Sequence, residues 1–158
     1  MRARRIDRAS EECTLAAIET PAPFTAAKIR PPLVARGKTT QQLGKTASLD
    51  MGVQVVAPDE GETNLLSHPG LDSAWVVLDG RAIFYGENDE VVADLDKHEM
   101  IMIPEGTPYW FKSGPEKPLV ILHVVCIKEG YTRRSRMDYK PRNETQPHDA
   151  LTGAFFEA

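Results

Sequence analysis

The chain has 158 residues, 41% of them hydrophobic and 27% charged, with a formal net charge of -4, the size and balance of one soluble globular domain. A chain of this length buries roughly two-thirds of its unfolded surface and so needs no disulfide or metal staple to hold a core. No apolar run approaches the ~20 residues of a membrane helix, the opening MRARRIDRASEE is too polar for a secretory signal, and two cysteines are too few for a disulfide framework.

Arg2, Arg4, Arg5 and Arg8 make the opening basic. Ser10 followed by Glu11 and Glu12 has the chemistry of a helix start, a capping hydroxyl with acids in the first turn. A short helix through Leu15, Ala16 and Ile18 should stop before Pro21 and Pro23. The pattern from Phe24 to Leu49 is irregular, so residues 1–49 read as an N-terminal arm holding one or two short strands.

Short runs rich in Val, Ile, Trp, Phe and Tyr then recur between turn residues, the pattern of a sandwich or barrel. They are Met51–Val56, Thr63–His68, Ser73–Leu78, Ala82–Tyr85, Val91–Leu95, Met100–Ile103, Pro108–Lys112 and Leu119–Ile127. Asp79-Gly80 between two apolar runs is a two-residue hairpin signal, because both turn positions favour positive φ. Cys126, within the apolar VILHVVCI, reads as a buried free thiol. No helical period survives between Met51 and Ile127, so residues 50–128 are an all-β domain.

Residues 129–158 are polar and proline-bearing, the composition of a loosely ordered C-terminal tail that docks through Phe155 and Phe156. Arg133, Arg134, Arg136, Lys140 and Arg142 make it basic, whereas between Ala57 and Glu105 twelve acids stand against Arg81 and Lys97. Nucleic-acid binding wants aromatic interleaving or a groove-reading helix, and neither is evident. The basic ends are expected to lie against the acidic body of the same or a partner subunit.

Two segments resemble the motifs of the cupin superfamily. Gly61–Gly80, containing His68, Ser73 and the glycine Gly80, resembles the first, G(x)5HxH(x)3–4E(x)6G. His98–Tyr109, with Pro104-x-Gly106, resembles the second, G(x)5PxG(x)2H. The resemblance, over about residues 50–127, implies a double-stranded β-helix of jelly-roll type. It also implies a homodimer paired through N-terminal arms.

In most cupins three histidines and a glutamate hold a divalent metal. The matching positions here are Leu66, His68, Ser73 and Tyr109, of which only His68 is a family ligand. Leucine has no lone pair, serine is a poor ligand, and a transition-metal site needs three or four good donors. The expectation is therefore no cofactor. The alternative is a site rebuilt on His68, His123 and Tyr109, if His123 in PLVILHVVCI points inward rather than onto the outer face. His98 should be an exposed turn residue, and His148 lies in the tail.

Strand alternation puts Asn64 on the face of Leu66 and His68, Trp75 on that of Ser73, and Phe111 on that of Tyr109. These residues, with His123, describe a mostly apolar pocket with a few convergent polar groups, suited to a compact, oxygenated and partly hydrophobic small molecule. Trp75 and Phe111 are equally well read as core filling. The leading expectation is a metal-independent enzyme of isomerase, cyclase or lyase type. In it His68 and Tyr109 form the acid–base pair, and Asn64, Leu66, Ser73, Trp75, Phe111 and His123 bind substrate. The alternatives are a non-catalytic small-molecule binder and a metal-dependent dioxygenase or isomerase with substituted ligands. A cytoplasmic location is expected.

Overall fold

Leu71–Asp79 and Leu119–Ile127 are long runs rich in Val, Leu and Ile, so each must bury at least one face. In the computed structural model, which describes residues 24–59, 64–140 and 149–157, both are long strands whose odd-numbered side chains turn inward. In chain order the strands are β1 (Pro32–Arg36), β2 (Lys38–Lys45), β3 (Leu49–Val56), β4 (Leu65–Ser67), β5 (Leu71–Asp79) and β6 (Ala82–Tyr85). They continue with β7 (Val91–Leu95), β8 (Met100–Ile103), β9 (Trp110–Ser113), β10 (Leu119–Ile127), β11 (Met137–Lys140) and β12 (Asp149–Phe155).

One antiparallel sheet has the order β2-β3-β10-β5-β8. The opposing layer is made of β7-β6-β9 and β11-β4. Those two pieces meet at one residue pair, where Leu66 donates to the Tyr109 carbonyl (3.1 Å) and Tyr109 to that of Leu66 (2.9 Å). The chain thus has the double-stranded β-helix fold. Between the layers lies an apolar core in which Phe84, Val77 and Leu119 are 0% exposed and Phe111 1%. Burying each such aromatic stabilises the fold by about 1.5–3 kcal/mol. A ribbon of β1 paired with β12 covers part of the outer face of the five-stranded sheet through Val34, with Val53, Val55 and Val120 beneath it.

Several expectations change. The helix at residues 10–20 falls outside the described residues. Residues 24–49 hold β1 and β2, and β2 runs along β3 within the barrel sheet, which therefore begins before residue 50. Asp79-Gly80 is not a hairpin. It passes the chain from β5 in one layer to β6 in the other, because β5 is already paired on both sides, with β10 and β8. Gly80 adopts φ +80°, and a Cβ there would stand 2.7 Å from the Pro118 carbonyl oxygen, so only glycine fits the crossing. Cys126 has even parity on β10 and is exposed, not buried, whereas His123 has odd parity and faces inward.

The C-terminal segment is more ordered than its composition suggests. After β10 the chain makes a single 3-10 turn at Arg133–Ser135 and returns as β11 alongside β4. Backbone pairing and two tyrosine anchors supply the order that apolar periodicity does not: Tyr131 packs on Gly70, where a Cβ would be 2.1 Å from its ring, and Tyr139 bonds Ser67 at 2.9 Å.

Candidate binding site inside the barrel

β5 and β10 are in register with Trp75 opposite His123, and both side chains turn into the barrel. Their rings stack 3.5 Å apart between centroids and 7° from parallel. Trp75 also meets Phe111 (5.2 Å) and Tyr109 (6.5 Å), and Phe84 stacks on Phe111 at 5.1 Å. His68, just past β4, lies 6.4 Å from Tyr109 between ring centres. Leu66 closes the core beneath them. The structure therefore gathers His68, Tyr109, Leu66, Trp75, Phe111 and His123 at one place. Ser73 is buried on the Trp75 face of β5, opposite Ile103 and Val125, and Asn64 is half-buried at the entry to β4.

A residue that sequence reading assigned to a basic tail joins them. Arg133 leaves the 3-10 turn and reaches into the barrel mouth. Its Nη2 is 3.5 Å from His123 Nδ1 and its Nε is 3.6 Å from Asp50 Oδ2. Asp50 is held in turn by Gln42 Nε2 at 2.8 Å and faces Lys45 at 3.8 Å. Thr132 fixes the turn: its hydroxyl accepts from the Arg134 amide, and its own amide donates to the Ser135 hydroxyl. Arg133 lies only ten positions beyond His123, but no periodicity marks it, because its placement depends on the two tyrosine anchors.

Electrostatics set the protonation states. Burial, reinforced by Arg133 and Arg136 and opposed by Asp138, lowers the His68 pKa to about 4. Burial, Arg133 and His68 hold His123 well below its ordinary range. Burial pushes the Tyr109 phenol up to about 12, with Arg133, a hydrogen bond from Trp75 and Arg136 pulling the other way. Near neutral pH both imidazoles are uncharged and the phenol keeps its proton. His68 Nδ1, His123 Nε2 and Arg133 Nη1 are buried with no hydrogen-bond partner among the described residues. Buried polar atoms without partners are uncommon, and three of them gather around this interior.

A cupin-type metal does not fit this donor set. Leu66 packs in the core with no lone pair to offer, and the Arg133 guanidinium beside His123 opposes any cation there. Among the described residues no three His, Cys, Asp or Glu side chains are grouped to hold a metal ion.

No protein-family model matches the sequence, and no curated protein matches it by sequence. Solved structures do match in shape. A double-stranded β-helix protein from Klebsiella pneumoniae superposes with a TM-score of 0.56 at 16% identity, covering 66% of this chain and 85% of that one. A cupin-like protein from Thermotoga maritima gives 0.57 at 17% identity, covering 68% and 79%. The Streptomyces protein PAC13, solved as a point variant with uridine, gives 0.57 at 12% identity, covering 77% and 93%. At these identities the likeness is one of fold.

Proposed function

We propose that this chain, a barrel of the cupin superfamily by its fold, binds a compact, oxygenated small molecule among the rings of its interior and carries out metal-independent acid–base chemistry on it. The observation that supports this reading is the set of three buried, partnerless nitrogens on His68, His123 and Arg133. His68 is neutral and able to accept a proton, while Tyr109 keeps its proton to donate to a developing oxyanion. Trp75 and Phe111 give a flat wall. Such a pair suits proton removal beside a carbonyl, the common step of isomerisation, cyclisation and elimination. The uridine-bearing PAC13 barrel is a case of the same fold holding a compact oxygenated ring.

A panel of small keto acids, hydroxy acids and nucleosides, incubated with the protein in heavy water, tests this by proton NMR. Deuterium entering beside a carbonyl, lost in His68→Ala with binding retained, is the expected result. Binding without exchange in any compound would establish the non-catalytic binder instead. Absence of both would end the reading of the barrel as a small-molecule site.

A further inference from the structure

Resting on that reading, we propose that the ligand carries an oxyanion, a carboxylate or phosphate, and that Arg133 is the residue that binds it. The first argument is the polarity of the partnerless atoms. An arginine only donates, so its contact with His123 Nδ1 requires that nitrogen to accept. The proton of the neutral ring is then on Nε2. His123 Nε2 and Arg133 Nη1 are consequently two buried N–H donors without an acceptor. A ligand that satisfies them must be rich in acceptors and poor in donors, which describes an anionic oxygen group better than an amine, an amide or an alcohol.

The second argument is charge. Asp50 faces both Lys45 (3.8 Å) and Arg133 (3.6 Å), so one carboxylate serves two cations. Arg136 is matched by Asp138 at 2.8 Å. The cluster keeps one positive charge in excess, and the guanidinium nitrogen that has no partner is buried. The third argument is rigidity. Tyr131 on Gly70, Tyr139 on Ser67 and the stapled turn at Thr132 hold the strap of residues 128–140 on either side of Arg133. A guanidinium so held loses little freedom on binding a two-oxygen group.

Benzoate, phenyl phosphate and benzamide are suitable probes, since they share a flat ring and differ in the group presented. Titration of the full chain is followed by NMR at the side-chain resonances of Trp75 and His123. The anions should bind at least about tenfold more tightly than benzamide. Arg133→Met should weaken the preferred anion by about 10- to 100-fold while leaving benzamide within about twofold. Asp50→Asn, which relieves Arg133 of its competing carboxylate, should tighten that anion several-fold. It carries the test if Arg133→Met does not fold. Equal binding of benzoate, phenyl phosphate and benzamide, or an anion affinity indifferent to both substitutions, would overturn the role of Arg133 and leave the barrel site standing. No movement of the Trp75 and His123 signals by any probe at tens of millimolar would overturn both.

Discussion

Leu66 and Tyr109 exchange both backbone hydrogen bonds, and this one pair ties the β4–β11 piece of the barrel to β9. The backbone of Tyr109 is therefore structural, while its hydroxyl sits in the ring cluster. The two roles separate by mutation. Tyr109→Phe keeps the ring and backbone, and should change unfolding free energy in urea by less than about 1 kcal/mol. Tyr109→Ala should cost about 3–5 kcal/mol through the cavity it leaves. A large loss in the Phe variant would show the hydroxyl to be a structural bond instead.

Acid sensitivity follows from the imidazoles. The folded pKa of His68 is about 4 against an ordinary 6.5, so below 6.5 the unfolded chain binds more protons than the folded one. Stability should fall as pH drops from 6.5 toward 4, with His123 adding in the same direction. The groups facing His68 are Arg133 and Arg136, which lower its pKa, and Asp138, which raises it. Urea midpoints across that range should flatten in a His68→Gln, His123→Gln double variant. A slope unchanged by both substitutions would place the acid sensitivity elsewhere.

At Gly80 two penalties coincide, positive φ and a backbone contact in the way of any Cβ. Gly80→Ala should destabilise by about 1–3 kcal/mol in chemical denaturation. At Gly70 φ is also positive, +72°, but the group in the way is a movable side chain, the ring of Tyr131. Gly70→Ala should loosen the strap more than the barrel, read as faster amide hydrogen exchange over residues 131–139 with β5 and β10 still protected.

Cys126 is exposed on β10, so in a Cys13→Ser background the folded protein should give up one thiol to an aromatic disulfide reagent without denaturant. Reaction only after unfolding would contradict its outward parity.

The strands were legible because their signals are local. Ala82–Tyr85, Val91–Leu95, Met100–Ile103 and Leu119–Ile127 match the observed bounds, each being an apolar run between turn residues. The partners of those strands were less so. The chemistry of Asp79-Gly80 suits a turn of positive φ, and Gly80 alone adopts it, but whether the chain makes a hairpin or a crossing there depends on β8 and β10 competing for β5. Parity mattered more than composition on β10. VILHVVCI is apolar apart from His123, and only alternation tells that His123 and Cys126, three positions apart, face opposite ways. In the site, the ring cluster could be read from matching positions and alternation. Arg133 could not, because what directs it inward is Tyr131 seated on Gly70, a contact across about sixty residues that leaves no local pattern.

The strand order also bears on how the chain assembles. β10 is the inner partner of both β3 and β5, so Val53 meets Leu122 only after about seventy intervening residues have been made. During synthesis β3 has β2 beside it, while the face that β10 will cover stays open. Closure of the five-stranded sheet must await the last long strand, which gives a refolding rate in the slow range of non-local β-proteins, on the order of milliseconds to seconds. In that interval the exposed edges of β3 and β5 are the places where aggregation would begin.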